Sequence, residues 1–511
     1  MFLHALLVLF LAVDGTWGEN VKLTIPNSPP PGTQILTGPY QGYSMELDSF
    51  PGIAGNLSNP NKLSIRMLQN LKDIIGSPVY IRVGGTTANH ATWNETQTEA
   101  IVRYYATPGA DQPANVTFGP KYLESFKTFP KDTKYTVGLT FNSGPEGEEE
   151  TVQEATAFYQ SLGSDLYAFE VGNEFDVFPV DRNVTTWSIK QYVPEWLARI
   201  GAVSNRVFGD KKDQRMFQAG AFVTPGSISS DLTWTAQAAI DLGITSTGKA
   251  KTFCTHQYFG AACTPVKPTL TGNVMNRTYM RSWMDYHKTA SAYSVSKGLP
   301  YVIGETNSIA CQGLAGVSDV FGAAVWSVDY ALYAASLNVS AIYWHMGIGY
   351  RYAAWQAVQN GTTAPGPRPL YYGNMLVATA VGGGEKQVVR MVDTDNLAGY
   401  AIYAVANPRM GPRLESIVLV NMEFFNSTAS PVAERPSVDF ELPSSMGKDD
   451  DKLSVYRLTA AGAEVKEGIT YAGRTVNLDG NIIGGKVTEK VKNKIINVRA
   501  SEAVLISMKG H

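Results

Sequence analysis

Leu166-Tyr-Ala-Phe-Glu-Val-Gly-Asn-Glu-Phe175 is the stretch that decides the fold. Its first half is apolar and short, the pattern of a strand buried on both faces. It stops at Gly172-Asn173-Glu174, where an amide and a carboxylate stand side by side. Parallel barrels keep their chemistry at the C-terminal ends of the strands, so such an ending reads as a site. The same dipeptide at Asn94-Glu95 lies in a polar run and opens a glycosylation sequon. An Asn-Glu pair with no buried strand in front of it is an ordinary surface feature. A second carboxylate has the favourable setting at Tyr301-Val-Ile-Gly-Glu305. Two glutamates, each closing a short apolar strand, point to a paired-carboxylate site that cleaves glycosidic bonds. The bland reading, two loop carboxylates in water, leaves both strands unexplained.

Around this stretch the pattern alternates. Strand-like runs at 42–47, 79–83 and 135–141 precede it, and runs at 216–223, 252–259, 301–305 and 341–345 follow. Helical periodicity appears at 64–75, 148–162, 193–208, 232–242, 279–296 and 318–336. Eight strands in this order predict a (β/α)8 TIM barrel over residues 37–369. The polar span 88–133 is expected to decorate the barrel mouth. From about Leu370 short alternating segments separated by Gly, Pro, Asn and Asp take over. They predict an antiparallel β-sandwich over 370–511. The acidic run Asp449-Asp450-Asp451 reads as a solvated loop of that domain.

Of the 511 residues, 44% are hydrophobic and 17% charged, with a net charge of −3. That balance predicts a packed core and gives no basis for a nucleic-acid or membrane-surface partner. Residues 1–18 read as a secretory signal peptide, with an apolar run and small residues at its end. The run is too short to span a bilayer. Sequons begin at Asn56, Asn94, Asn115, Asn183, Asn276, Asn338, Asn360 and Asn426. With the leader, they predict a secreted, extracellular glycoprotein. The three cysteines are Cys254, Cys263 and Cys311. Cys263 and Cys311 follow strands that would be neighbours in a barrel, so these two are expected to pair, leaving Cys254 buried and free. No residues stand at metal-ligand spacing, and no metal or organic cofactor is expected.

Phe169-Glu-Val-Gly-Asn-Glu174, Thr255-His-Gln-Tyr258, Val302-Ile-Gly-Glu-Thr-Asn-Ser308 and Tyr80-Ile-Arg-Val-Gly-Gly85 together resemble glycoside hydrolase family 79. That family holds β-glucuronidases and heparanases, and the secreted fungal β-glucuronidase branch is the most similar. The resemblance implies a sandwich built from both chain ends, so that residues 19–36 supply a strand to the C-terminal domain. It implies a retaining exo-enzyme acting on terminal glucuronic or 4-O-methylglucuronic acid, for instance on plant arabinogalactan side chains.

Glu174 would be the acid/base and Glu305 the nucleophile. Asn173 would hold the sugar 2-hydroxyl, Tyr258 would hydrogen-bond Glu305, and Glu46 would bind sugar hydroxyls. His345 would line the subsite or serve as a buried structural histidine. The backbone amides around Gln312 and Gly313 would meet the uronate carboxylate, with Arg351 and Tyr301 as other nearby donors. Three other readings compete. One is a β-glycosidase of different sugar specificity. Another is an endo-acting heparanase-like enzyme, disfavoured by the lack of basic blocks. The last is a non-catalytic secreted sugar-binding protein, which would have no need of two converging carboxylates.

Overall fold

The computed structural model describes residues 20–508 apart from 111, 227–230, 406–410, 430–433, 444–445 and 447–452. The expected leader and the acidic run at 449–451 lie outside these residues. Eight parallel strands close into a barrel: β1 Gln41–Glu46, β2 Ile81–Gly84, β3 Tyr135–Leu139, β4 Leu166–Val171, β5 Phe217–Val223, β6 Ala250–Gln257, β7 Tyr301–Thr306 and β8 Ala341–Met346. Every residue of β1, β5 and β7 is buried. A strand covered by helices outside and by packed side chains inside has no wet face, which is why these segments show no alternation.

The helices are set by local signals. Asn61 caps helix Lys62–Ile75 by accepting the Ser64 N–H, and Gly76 ends it with φ 84°. Asn276 caps helix Arg277–Ser296 in the same way. The span 88–133 carries a small mixed sheet of three strands, Ala91–Trp93, Ile101–Tyr104 and Asn115–Phe118.

One expected boundary is corrected. The barrel does not end at residue 369, because helix Pro369–Val381 completes it. Asn374 accepts the Tyr43 hydroxyl and the Gln41 amide of β1, and the Tyr371 hydroxyl reaches the Met67 carbonyl. This helix is the cover that β8 requires. It is buried almost all round and so lacks an amphipathic period.

The C-terminal domain begins at β9 Lys386–Asp393, followed by β10 Leu397–Ala404, β11 Arg413–Asn421, β12 Ser437–Glu441, β13 Ser454–Thr459, β14 Ile495–Arg499 and β15 Glu502–Ser507. One sheet runs β9-β10-β11-β15-β13 and continues into Thr470–Tyr471; the other places β12 between β14 and the N-terminal strand Asn20–Lys22. Asn20 lies opposite Asp439 in parallel register.

The two domains meet along helix Phe321–Ser336, nearly all of it buried. Arg277 lies at this seam, fully buried. Its Nε donates to Asp329 at 2.7 Å, Nη1 to the Leu397 carbonyl at 2.8 Å and Nη2 to Asp393 at 3.0 Å. The Tyr400 hydroxyl completes the cluster by donating to Asp329 at 2.5 Å.

Candidate active site

The C-terminal ends of the barrel strands open into a cleft of about 470 Å³. Glu46, Glu174, Tyr258, Glu305, Gln312 and His345 all line it. A carboxylate oxygen of Glu174, a ring nitrogen of His256 and a carboxylate oxygen of Glu305 lie within 4.8 Å of one another. The chain turn that delivers Glu174 is sharp: Gly172 has φ 79° and Glu174 itself φ 52°. A non-glycine residue in the left-handed region is held there by its surroundings. Here the Glu174 N–H donates to the Ala221 carbonyl at 2.9 Å, fixing the loop against β5.

Beneath the two glutamates lies Arg82 of β2, wholly buried. Its Nη1 donates to Glu305 Oε2 at 2.7 Å and to Ser44 at 2.8 Å. Nη2 donates to Asn173 Oδ1 at 2.6 Å and, with Nε, to Glu170 Oε1. Gln218 holds the other Glu170 oxygen at 2.6 Å. A guanidinium with five donors in a fixed plane can orient three acidic or amide partners at once. Asn173 is fixed further by Asn89, whose side chain bonds both its backbone N–H and its carbonyl. Asn173 Nδ2, by contrast, is buried and has no partner among the described residues.

The two carboxyls are driven apart. Burial, then the charge of Glu305, pushes Glu174 well above the ordinary carboxylate range, against the pull of Arg82 and His345. Burial also acts to raise Glu305, but His345, His256, Arg82 and the Tyr258 hydrogen bond outweigh it and hold Glu305 well below that range. The Tyr258 hydroxyl donates to Glu305 Oε1 at 2.8 Å. His256 Nδ1 lies 2.9 Å from Glu174 Oε1, and His256 Nε2 is buried without a partner among the described residues. Burial brings His256 down to about 4. Above that pH His256 is neutral, and the positive charges acting on Glu305 are those of Arg82 and His345.

His345 has the opposite tendency. Burial opposes its charging, yet Glu305 and then Glu46 raise it above its usual value. Its Nδ1 stands 2.8 Å from Ser44 Oγ and 3.6 Å from Glu305, and its Nε2 3.2 Å from Glu46. The other oxygen of Glu46 accepts from Thr87 N–H and Oγ1 at 2.9 and 2.6 Å. Gly85 is required at this point, since a Cβ there would lie 2.4 Å from Glu46.

Gln312 faces the cleft, whereas Gly313 lies behind the wall against Tyr352 and Ser318. Cys311, Gln312 and Gly313 have φ 58°, 66° and 80°, a left-handed turn in three successive residues. The Cys263–Cys311 disulfide ties this turn to the loop after β6, and Cys254 is a buried free thiol. Two other candidate donors are not brought to the site's floor. Tyr301 is buried at the start of β7, bonded to His287 and Thr255, and Arg351 is exposed on the rim.

Among the described residues two clusters have ligand-type atoms in mutual reach, Glu170–Cys254–His256 and Glu174–His256–Glu305. In each, the carboxylate that touches Arg82 already has a cation beside it, which opposes a metal ion. Arg82, Glu170 and His256 were given no role by the sequence reading. Their signal was a charged or titratable residue inside an apolar strand run.

A (β/α)8 barrel with a C-terminal β-sandwich and two carboxyls converging at the strand ends defines a glycoside hydrolase. Residues 399–505 match the glycosyl hydrolase family 79 C-terminal beta domain. The chain is 32% identical over 497 residues to a β-glucuronidase of Aspergillus niger, covering 92% of this chain and 88% of that protein. It is 30% identical over 506 residues to a β-glucuronidase of Neurospora crassa, covering 90% and 88%. The chain belongs to glycosyl hydrolase family 79. Among solved structures it is similar to a 4-O-α-L-rhamnosyl-β-D-glucuronidase from Fusarium oxysporum (TM-score 0.80, 24% identity, 95% of this chain and 100% of that one). A family 51 arabinofuranosidase from Xanthomonas axonopodis shares the fold at TM-score 0.61 and 13% identity, with 93% and 97% covered.

Proposed function

We propose that the protein is a retaining exo-β-glucuronidase that removes terminal β-linked glucuronic or 4-O-methylglucuronic acid. The observation that carries this reading is the pair Glu174 and Glu305, within 4.8 Å and pushed in opposite directions. Two carboxyls whose surroundings separate their protonation states make an acid and a nucleophile. Their closeness suits direct attack, since an inverting pair stands about 6.5–9.5 Å apart to admit a water.

Glu305, ionised beside Arg82 and aimed by Tyr258, attacks the anomeric carbon. Glu174 protonates the departing oxygen, then takes a proton from the water that releases the sugar. Asn173 Nδ2, without a partner among the described residues, would hydrogen-bond the 2-hydroxyl. Glu46 and His345 receive further hydroxyls. The uronate carboxylate is met by the cleft-facing part of the left-handed turn, Cys311 and Gln312, with Gly313 supporting it from behind. His345, whose protonated form Glu305 and Glu46 favour against burial, offsets this third negative charge.

The leader at 1–18 and the sequons support secretion with N-glycosylation. Asn56, Asn94, Asn115, Asn183 and Asn360 are exposed. Asn338 is a poorer acceptor, because its amide already bonds Gln34 and Gly32.

A panel of aryl β-glycosides tests the activity, with the first product anomer followed by NMR. Release of β-glucuronic acid before mutarotation is the expected result. Cleavage of the glucoside in preference to the glucuronide would remove the specificity, and an initial α-product would remove the nucleophile.

A further inference from the structure

The two sides of the cleft differ in chemistry. Toward β7, β8 and β1 the wall is polar, with Gln312, His345, Glu46 and the rings of Tyr350 and Tyr352. Toward β4, β5 and β6 it is apolar. Phe178 comes from the loop after β4, Val223 from the end of β5, Val266 and Pro268 from the loop after β6, and Tyr279 and Trp283 from the next helix. Phe178 is 43% exposed and Val266 85%, the latter more than any other large hydrophobic side chain among the described residues. An exposed apolar cluster around a catalytic cleft marks a surface that a ligand covers.

Three polar side chains of this wall bond within their own loop, while the buried Trp283 Nε1 has no partner among the described residues. Thr264 Oγ1 donates to the Ala261 and Val266 carbonyls and Lys267 Nζ to Ala262 O. The Asn273 side chain bridges Thr269 N and Phe259 O. Sugar hydroxyls brought here lose water, and that costs free energy unless each finds a new partner.

Position gives the wall its role. The Phe178 N–H donates to the Glu174 carbonyl at 2.7 Å, so Phe178 sits one turn beyond that residue. The acid of a glycosidase stands next to the oxygen that leaves. We infer that this wall is the aglycone subsite, and that it selects an apolar, ring-bearing alcohol over a second sugar as leaving group. The inference rests on the reading of Glu174 as the acid.

The test uses alkyl leaving groups of similar basicity, so that chemistry does not mask binding: methyl β-glucuronide, cyclohexylmethyl β-glucuronide and 6-O-β-glucuronosyl-galactose. The cyclohexylmethyl compound is expected to exceed both others about tenfold in kcat/KM, from the apolar area it covers. Val266→Asp and Phe178→Ser should each pull that ratio toward one, while Leu478→Asp, an exposed leucine outside the cleft, keeps it. A ratio near one in the wild type, a preference for the galactose compound, or a ratio indifferent to both cleft variants overturns the inference and leaves the glucuronidase reading intact. Failure to hydrolyse any of the three overturns that reading and the inference with it.

Discussion

Arg82 and Arg277 are the same device used twice. Each guanidinium is fully buried between carboxylates, and each is held charged because its acidic partners outweigh the cost of burial. Each carboxylate cluster also receives a tyrosine hydroxyl, Tyr258 on Glu305 and Tyr400 on Asp329. The difference lies in what is left over. At the seam, all three nitrogens of Arg277 bond groups that belong to the two domains being joined. In the barrel, the neighbours of Arg82 include Asn173 Nδ2 and His256 Nε2, both buried with no partner among the described residues. A closed network holds a structure together. An open one, beside a cleft, is prepared for an atom that arrives later.

The sharpest break in that comparison is removal of the open network's anion. Glu305→Gln is expected to lower kcat about ten-thousand-fold on an aryl glucuronide, while the thermal midpoint stays near wild type. The same variant removes a charge that raises Glu174, so a ¹³C-carboxyl titration should find Glu174 titrating at lower pH than in the wild type. At the seam the effects exchange places. Arg277→Met leaves Asp329 buried without its cation and should cost about 3–5 kcal/mol of stability, read by urea unfolding, with kcat within twofold.

The tyrosines form a finer pair. Tyr258→Phe withdraws a hydrogen bond that lowers Glu305, so the acid limb of the kcat/KM profile should move to higher pH and kcat should fall roughly tenfold to hundredfold. Tyr400→Phe should cost only about 1–2 kcal/mol and leave the pH profile where it was. If Tyr258→Phe instead lowers stability and spares the profile, the two networks are not different in kind.

Most of the barrel was legible because its strands are short, mostly apolar and separated by segments of helical pattern. Helix Pro369–Val381 was not: it is buried on nearly every side, which leaves no face for periodicity to reveal. Unlike the equally buried helix Phe321–Ser336, it follows a Gly- and Pro-rich run at 361–369 that reads as a loop. Glu174, Glu305 and Tyr258 could be read from strand endings and family motifs. Arg82 stood in a quoted motif, Tyr80-Ile-Arg-Val-Gly-Gly85, yet its role depends on Glu170, 88 residues further on, and Asn173, 91 residues on. Pairings at that distance are made by barrel closure and leave no local trace. An arginine inside an apolar strand still carries a rule: it cannot be buried without an acid to meet it. His256 was hidden for the same reason, since Glu174 reaches it only across the mouth.

The strand Asn20–Lys22 lies beside Ser437–Glu441, so the earliest described segment has its seat near the end of the polypeptide. During synthesis it must wait, unpaired, while the whole barrel emerges and condenses. Both sheets are completed only near the end of the chain, the smaller by β14 and the larger by β15, and a chain stopped before β12 would leave the strand Asn20–Lys22 without its neighbour.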